Sequence, residues 1–281
     1  MKMKTLFLLL IIGQSALNAQ FVFLPPGLHF APLRANVKEP RIGVFKFLDA
    51  GEMKVDIGNS VDLFGYEIPS AAVRLTAGID FTAYAYTTGA QGLRLQIDAV
   101  DGLFGGNVSF SKSDDGAILQ ARLRILHHSA HLVDGHYSVS GQRWLDNRGP
   151  FPYTQDFGDL TIARVVHPSS GILRYYGGFS YATLVRPEEI GRVAFLGGSE
   201  IAFPIGAFGD QPANLYVAYN VNLDGTPEYS ASHQLQGGIK FGNWFAKGPS
   251  LYLAYYAGRH FQGEYYTERL TTVGAGFTVD F

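Results

Sequence analysis

The sequence contains no cysteine, little charge and, beyond its first segment, no long apolar run. Without cysteine the chain forms no disulfides and offers no thiol for a lipid anchor. Charged residues make up 16% of the sequence, below the ~25% typical of soluble domains. A formal net charge of −2 argues against a nucleic-acid partner. No later apolar run approaches the ~18 residues of a membrane helix, so any membrane span must be built from strands.

Residues 1–19 have the layout of a secretory signal peptide. A basic start precedes a short apolar run, and the segment ends on the small residue Ala19. The apolar run is too short to cross a bilayer as a helix. The sequence therefore predicts export and cleavage after Ala19, with residues 20–40 as a periplasmic segment and residues 41–281 as the folded domain.

Glycine and aromatic residues are abundant, with 34 glycines, 21 phenylalanines and 16 tyrosines. This composition favours many strands separated by turns. Several segments alternate apolar and polar residues over about ten positions, the length of a tilted strand that crosses the hydrocarbon layer. The clearest runs from Val73 to Ala85, where every odd position is apolar. In an exported β-sandwich the apolar face would pack against a second sheet, so alternation alone fits both a sandwich and a barrel.

The end of the sequence favours the barrel. Val273, Ala275, Phe277, Val279 and Phe281 place apolar side chains on one strand face up to the final residue. This ending resembles the C-terminal assembly signal of bacterial outer-membrane barrels, with Phe277, Val279 and Phe281 as the signal residues. The resemblance implies the barrel assembly machinery and outer-membrane lipids as partners.

About twelve alternating segments can be counted, an even number as expected of a single-chain bacterial barrel. They lie near 41–48, 53–65, 70–86, 92–111, 116–131, 155–166, 171–184, 193–204, 213–222, 229–242, 249–258 and 266–281. The sequence therefore predicts an all-β fold, a single antiparallel transmembrane β-barrel with up-and-down topology in the bacterial outer membrane. The longest irregular stretch, 132–154, is then extracellular if both chain ends are periplasmic. The oligomeric state stays open.

Three stretches of the sequence resemble one family. They are Pro32-Leu33 with Lys38-Glu39-Pro40-Arg41, Ala121-Arg122-Leu123-Arg124 with His127, Ser129, His131, Leu132 and Asp134, and Tyr255-Tyr256-Ala257-Gly258 with Tyr265-Tyr266-Thr267-Glu268-Arg269. They resemble an uncharacterised family of predicted bacterial outer-membrane proteins, the domain of unknown function number one thousand two hundred and seven. The resemblance implies a membrane barrel and supplies no established activity.

The strongest candidate site is the run from His127 to His131. Strand alternation places His127, Ser129 and His131 on the lipid-facing side, near the extracellular rim. Residues two apart on a strand have α-carbons ~6.6 Å apart, so an imidazole can act as general base toward a hydroxyl nucleophile. This pattern is similar to the His-x-Ser arrangement of outer-membrane phospholipase A and of the lipid A deacylases. The similarity implies His127 as base and Ser129 as nucleophile.

Other interpretations of this run stay open. The third group that would orient His127 is not fixed by the sequence, with His131 and Asp134 as possible supporting residues. Candidates for that group by position are Asp134, Gln142, Asp146 and Asn147. The run is otherwise a polar border of the membrane band. A metal site would join His127 to His131 or His136, but four residues along a strand separate α-carbons by ~13 Å. Neither a metal nor a cofactor is predicted.

Charged residues on the polar strand faces predict the character of the barrel interior. They are Arg74, Asp80, Arg94, Asp98, Arg122, Arg124 and Glu200. Because both signs occur, we expect a network of paired side chains inside a narrow barrel, with a narrow solute channel as the alternative. The aromatic girdles at the two membrane interfaces are expected among Tyr84, Tyr86, Trp144, Tyr216, Tyr252, Tyr255 and Tyr256. The sequence alone thus predicts an outer-membrane barrel of unassigned activity, with lipid hydrolysis or solute passage as alternatives.

Overall fold

The alternating segments form β-strands in the computed structural model, which describes residues 19–90, 94–225 and 228–280, without the side chains of Ala90 and Arg94. The strands are β1 (Gln20–Phe23), β2 (Ile42–Phe47), β3 (Met53–Ile68), β4 (Val73–Ala90), β5 (Arg94–Asp114), β6 (Ala117–Leu132), β7 (Tyr137–Ser138), β8 (Arg143–Trp144), β9 (Tyr153–Val166), β10 (Ile172–Arg186), β11 (Val193–Phe208), β12 (Gln211–Gly225), β13 (Tyr229–Phe241), β14 (Gly248–Arg259) and β15 (Arg269–Asp280). Single 3₁₀ turns lie at Pro69–Ala71, Asp134–His136, Leu145–Asn147 and Gly263–Tyr265. In the part described, no helix is long and apolar enough to cross a membrane.

Twelve of these strands, β2–β6 and β9–β15, form a closed antiparallel ring. Each pairs with its neighbours in the ring, and the last strand, β15, pairs with β2 from Gly274 opposite Phe47 to Val279 opposite Ile42. Closure removes the free sheet edges on which other chains pair. The predicted all-β, up-and-down barrel of about twelve strands is confirmed, and the predicted and observed strand bounds differ by a few residues.

The wall separates apolar from charged side chains by strand parity. Outward-facing Ile79, Ile125 and Leu253 are 52%, 69% and 62% exposed, whereas inward-facing Asp80 and Arg124 are 5% and 3% exposed. The apolar stripes therefore face the surroundings of the barrel and do not pack against a second sheet. The exported-sandwich alternative is wrong for this reason.

The barrel has two distinct ends. The terminal end carries the described chain termini and the short connections 69–72, 115–116, 167–171, 209–210 and 242–247. The loop end carries the longer connections 133–152, 187–192 and 260–268. The longest irregular stretch expected from the sequence thus lies at the end opposite the termini.

Residues 28–41, here called the N-terminal plug, lie inside the barrel. Leu33, Ala35 and Glu39 are completely buried there. The segment has no alternating pattern and forms no strand, so its backbone groups need other partners. Wall side chains supply some of them, since Arg174 donates to Ala31 O at 2.8 Å. Residues 20–40 are expected in the periplasm, and the structure adds that their second half occupies the barrel interior.

Residues 260–268, here called the inner loop, fold into the barrel from the loop end. Phe261, Gln262 and Glu264 of this loop are buried. Gly263 allows the inner loop to pack closely against the wall, because a Cβ at that position would lie 2.5 Å from the Tyr153 ring and 2.7 Å from Ala130 Cβ. The interior is therefore filled from both ends, by the N-terminal plug and by the inner loop.

Candidate functional site

The outer wall near the loop end carries the His127 site. His127, Ser129 and His131 face outward on β6, as strand alternation predicts. Across the sheet, His127 lies opposite Phe104 of β5 and Asp156 of β9. The site is thus a row of side chains on three adjacent strands, and it lies on the apolar outer surface of the barrel.

An acid lies beside His127. The imidazole Nδ1 lies 2.7 Å from Asp156 Oδ1, and the ring centroid lies 5.0 Å from that of Phe104. A carboxylate at Nδ1 fixes the ring and leaves Nε2 free to accept a proton. Asp156 was absent from the candidates named from the sequence, because it lies 29 residues away. The pairing register of β6 with β9, the next strand of the barrel, places Asp156 opposite His127.

Ser129 shares the outer face with His127 but is not hydrogen-bonded to it among the described residues. Its cross-strand neighbours are Gly102 and Thr154. A Cβ built on Gly102 would meet no atom within 4 Å, so the wall has an open notch next to the serine. The Ser129 hydroxyl therefore borders free space on the outer surface.

The other residues considered with His127 lie elsewhere. Gln142, Asp146 and Asn147 belong to the connection 133–152, and Asp134 opens the 3₁₀ turn that contains His136. His136 is buried, and its Nδ1 lies 2.7 Å from Asp98 Oδ1 of the interior. His127 and His136 thus lie on opposite sides of the wall, which excludes the metal site proposed between them. No cluster of three possible metal-binding side chains occurs within the described ranges.

Inside the barrel, ion pairs hold the middle of the N-terminal plug. Glu39 receives a hydrogen bond from Arg122 NH1 at 3.0 Å, and Arg124 NH1 lies 3.6 Å from its other oxygen. Arg124 also pairs with Asp159 at 3.3 Å. These groups are buried, so each charge depends on its partner for stabilisation. Glu39 and Arg122 thus meet although they lie 83 residues apart in the sequence.

A second set of ion pairs holds the plug nearer the terminal end. Arg174 Nε donates to Glu200 Oε2 at 3.0 Å, and Glu200 Oε1 accepts from the backbone N–H of Arg34 at 2.6 Å. The Arg34 guanidinium binds Asp280 at 2.6 Å, and Lys240 Nζ lies 3.0 Å from the same carboxylate. Each of these three cations therefore lies beside a carboxylate, and Arg34 and Lys240 share that of Asp280.

The predicted interior residues occupy several depths. Asp80, Asp98, Arg122, Arg124 and Glu200 are buried inside the barrel. The pair of Arg74 with Glu67, at 3.1 Å, lies partly exposed at the terminal mouth. The side chain of Arg94 lies outside the described residues.

The inner loop binds a different set of interior groups. Asp101 Oδ2 lies 2.7 Å from His128 Nε2 and accepts from the Gly263 N–H at 2.9 Å. Tyr84 donates to Phe261 O at 3.2 Å. Next to them, the Tyr265 hydroxyl donates to Asp98, the same carboxylate that holds His136. Hydrogen bonds of histidine, tyrosine and aspartate thus hold the inner loop, and Arg148 adds a hydrogen bond to Glu264 O at 2.8 Å and an ion pair with Glu268.

Two ionisable groups of the inner loop have no oppositely charged partner at ion-pair distance among the described residues. Both carboxylate oxygens of Glu264 are buried without a hydrogen bond of good geometry. Burial raises the pKa of Glu264 to about 7, although the facing backbone amides of Leu132 and Phe151 oppose the shift. Burial lowers the pKa of His260 to about 3, and the nearby charge of Arg148 adds to the effect. Both groups therefore tend toward their neutral forms.

Four of the tyrosines expected in the aromatic girdles lie inside the barrel. Tyr84, Tyr216, Tyr252 and Tyr256 are buried, whereas Tyr255 is exposed on the outer wall. Parity explains the error, because Tyr84 shares its face with the inward Asp80. Their hydroxyls find interior partners, as when Gln236 Nε2 donates to the Tyr216 hydroxyl at 2.6 Å.

Two cavities larger than 100 Å³ lie beside the plug in the described part of the chain. The loop-end cavity, of about 120 Å³, lies between Lys38, the wall and the inner loop. The terminal-end cavity, of about 410 Å³, is bounded by His29, Arg74, Gln120 and other residues. Both are separated from the outer surface by the wall.

The chain matches no family model and none of the curated proteins. It is similar to several solved barrels. The β-domain of the Bordetella autotransporter BrkA is 14% identical with a TM-score of 0.42, over 86% of this chain and 99% of that one. CdiB from Acinetobacter baumannii is 10% identical with a TM-score of 0.39, over 93% and 65%. OmpT of Vibrio cholerae is 7% identical with a TM-score of 0.31, over 88% and 98%. At these identities no activity transfers to this chain.

Proposed function

We propose that this chain is an integral protein of the bacterial outer membrane whose barrel is closed by the N-terminal plug and the inner loop. One observation carries the proposal, the exposed apolar stripe on every barrel face combined with a charged interior. In water such a surface would be a strong liability, whereas acyl chains accommodate it. Closure of the ring also satisfies the backbone groups that a membrane cannot hydrate.

The proposed partners follow from the same surface. Outer-membrane lipids would surround the apolar stripes, and the barrel assembly machinery would recognise the last strand. Phe277 is exposed there and Val279 partly so, which supports that role, while Phe281 lies outside the described residues. Export and signal cleavage remain part of the proposal.

The filled interior favours a barrel closed to solutes and not a narrow channel. Glu39 pairs with Arg122 across the middle of the lumen, and Arg34 pairs with Asp280 near the terminal end. A solute would have to displace these buried pairs to pass. The channel alternative therefore requires the plug to leave its site.

Fractionation and permeability measurements test this proposal. We expect the full chain to fractionate with outer membranes, to migrate differently in unboiled and boiled gels, and to leave liposomes impermeable to small sugars. The Glu39→Ala variant, which loses the central plug contact, should make the same liposomes leak. A chain that stays monomeric and soluble without detergent, or a wild type as leaky as the variant, would contradict the proposal.

A second function is favoured by the contact between His127 and Asp156, that of a lipid acyl hydrolase on the outer wall. Asp156 supplies the orienting acid that the His-x-Ser pattern lacks in the sequence. Both side chains of the pair are partly exposed on the lipid-facing surface. An ester of a membrane lipid could therefore reach Ser129 without entering the barrel.

The chemistry would proceed in two steps. Ser129 Oγ attacks the ester carbonyl while its proton passes to His127 Nε2, and the ester C–O bond breaks as that proton moves to the leaving alcohol. Water then attacks the acyl-serine with His127 as base, which releases the fatty acid and restores the serine. Asp156 keeps the imidazole oriented and stabilises its charged form. A small rotation of Ser129 or His127 must bring the two side chains into contact.

Fatty-acid release from phospholipid or lipid A vesicles tests the second function. Ser129→Ala and His127→Ala should each lower release by more than about 10³-fold, because members of such a unit act together. Asp156→Asn should lower it less and shift its pH profile. His167→Ala is the control, since His167 is an exposed histidine at the opposite end of the barrel. Release that is undetectable in the wild type, or equal in all variants, rules out this mechanism.

A further inference from the structure

The loop-end cavity has an unbalanced set of charges. The N-terminal plug forms one side, strands β5, β6 and β9–β14 form the wall, and the inner loop covers the top. Its charged lining consists of Lys38, Arg124, Arg192, Arg259, Asp159 and Asp224. Four of these side chains are cationic and two are carboxylates, so the cavity holds excess positive charge.

Two of the four cations are neutralised. Arg124 pairs with Asp159 at 3.3 Å, and Arg259 Nε lies 3.3 Å from Asp224 Oδ1. Across residues 19–90, 94–225 and 228–280, neither Lys38 nor Arg192 has a carboxylate at ion-pair distance. The excess charge is therefore located on one lysine from the plug and one arginine from the connection 187–192.

Arg192 is an exposed arginine at the rim of the cavity, and neutral groups hold it in place. Its NH1 donates to Ala182 O at 3.1 Å and to Thr183 O at 2.6 Å. These carbonyls fix the guanidinium without neutralising it, and they leave its other N–H groups free to donate. Lys38 is half-buried on the plug, where an unpaired ammonium is costly. Both cations would gain from an anion that entered the cavity.

We propose that the loop-end cavity binds the phosphate group of a small soluble solute through Lys38 and Arg192. The two unpaired positive charges match the charge of a phosphate monoester, which is −1.5 to −2 at about neutral pH. A carboxylate would neutralise only one of them. Neutral donors surround the cavity and can complete the binding of the oxygens, namely Asn36, Gln155, Ser180 and Gln262. The wall separates the cavity from lipid, so a soluble solute is the ligand that fits.

The terminal-end cavity provides the contrast within the same molecule. It is larger, but its one arginine, Arg74, pairs with its one glutamate, Glu67, at 3.1 Å. A balanced pair gives no preference for an anion. The phosphate site is therefore assigned to the loop-end cavity alone.

Titration calorimetry of the full chain in detergent tests the site with inorganic phosphate at constant ionic strength. We expect saturable binding of one phosphate per chain, with sodium acetate binding much more weakly. Lys38→Gln and Arg192→Gln should each weaken phosphate binding by about tenfold or more, since each removes a charge-assisted hydrogen bond.

Arg186→Gln is the matched control, because Arg186 is an exposed arginine at the same end and lies outside the cavity lining. We expect it to bind phosphate within twofold of the wild type, about the limit of such a comparison. Migration in unboiled gels shows that each variant is folded. The proposal fails if folded wild type shows no saturable phosphate binding, if acetate binds equally well, or if the control weakens binding as much as Lys38→Gln.

Discussion

The two halves of the barrel interior stabilise their contents in different ways. Near the terminal end and at mid-height, buried charges meet opposite charges, as Arg174 meets Glu200. Near the loop end, hydrogen bonds of histidine, tyrosine and aspartate hold the inner loop, and the Glu264 carboxylate has no cationic partner at ion-pair distance among the described residues. The comparison shows that one wall can enclose a half held by ion pairs beside a half held largely by hydrogen bonds. Binding and pH response are expected in the second half.

The largest expected change in the free energy of unfolding concerns the half of the interior that is held by ion pairs. Glu39→Ala leaves Arg122 without its carboxylate and should lower the free energy of unfolding by about 3 to 5 kcal/mol, because a buried charge loses its partner. Urea unfolding in lipid vesicles measures the change. A loss below about 1 kcal/mol would mean that water already reaches this pair, as at an exposed salt bridge.

The pH dependence of stability tests the loop-end half of the interior. The Glu264 carboxyl has a folded pKa of about 7 and an ordinary value of 4.5. The proton that it keeps stabilises the fold fully below about pH 4.5, and this contribution is lost as the pH rises through 7. Relative to Glu264→Gln, the wild type should therefore lose up to about 3 kcal/mol between these pH values.

The variant is needed because His260 acts in the opposite direction. Its pKa falls from 6.5 to about 3, so its contribution is lost on acidification and grows as the pH rises toward 6.5. Unfolding free energies of both proteins, measured across the pH range, cancel the histidine in their difference. A difference that does not change with pH would show that Glu264 is hydrated in the fold.

The third effect concerns the entry of the inner loop. Gly263→Val should lower stability by about 1 to 3 kcal/mol, because the new side chain overlaps Tyr153 and Ala130. The loss should be confined to the loop end, so the half held by ion pairs keeps liposomes impermeable. Gly102→Ala is the matched control, since open space surrounds that position. Equal losses in both variants would show that the close approach at Gly263 is unimportant.

The smallest effect comes from a pair outside both halves. Glu188 and Arg186 lie 3.3 Å apart on the exposed connection 187–192 and the end of β10. Glu188→Ala should change the unfolding free energy by less than about 1 kcal/mol, because water screens exposed pairs. The same urea titration gives the reference for Glu39→Ala. A large loss here would remove the distinction between buried and exposed pairs.

Sequence reasoning predicted the wall well because strand parity is a local property. Val73 to Ala85 alternate in the sequence, and the same alternation separates exposed from buried side chains in β4. It also placed His127 and Ser129 on the outer face. These predictions need only the spacing of neighbouring residues.

The contents of the barrel depend on contacts that no local pattern contains. Residues 28–41 do not alternate, and their position depends on partners such as Asp280, 246 residues from Arg34. Asp156 reaches His127 only through the register of two strands joined by a long connection. Aromatic composition predicts a girdle position for Tyr216, whereas strand parity places its side chain inside the barrel. Long-range pairing, therefore, limited the prediction of the candidate site.

The pairing of Arg34 with Asp280 has a consequence for biogenesis. The carboxylate belongs to β15, the strand that closes the ring, so this counter-charge of Arg34 is in place only after β15 has paired with β2. A truncated chain would lack both the pairing of β15 with β2 and the Asp280 carboxylate that binds Arg34 of the plug. The contact between Arg34 and Asp280 therefore forms only in a closed barrel.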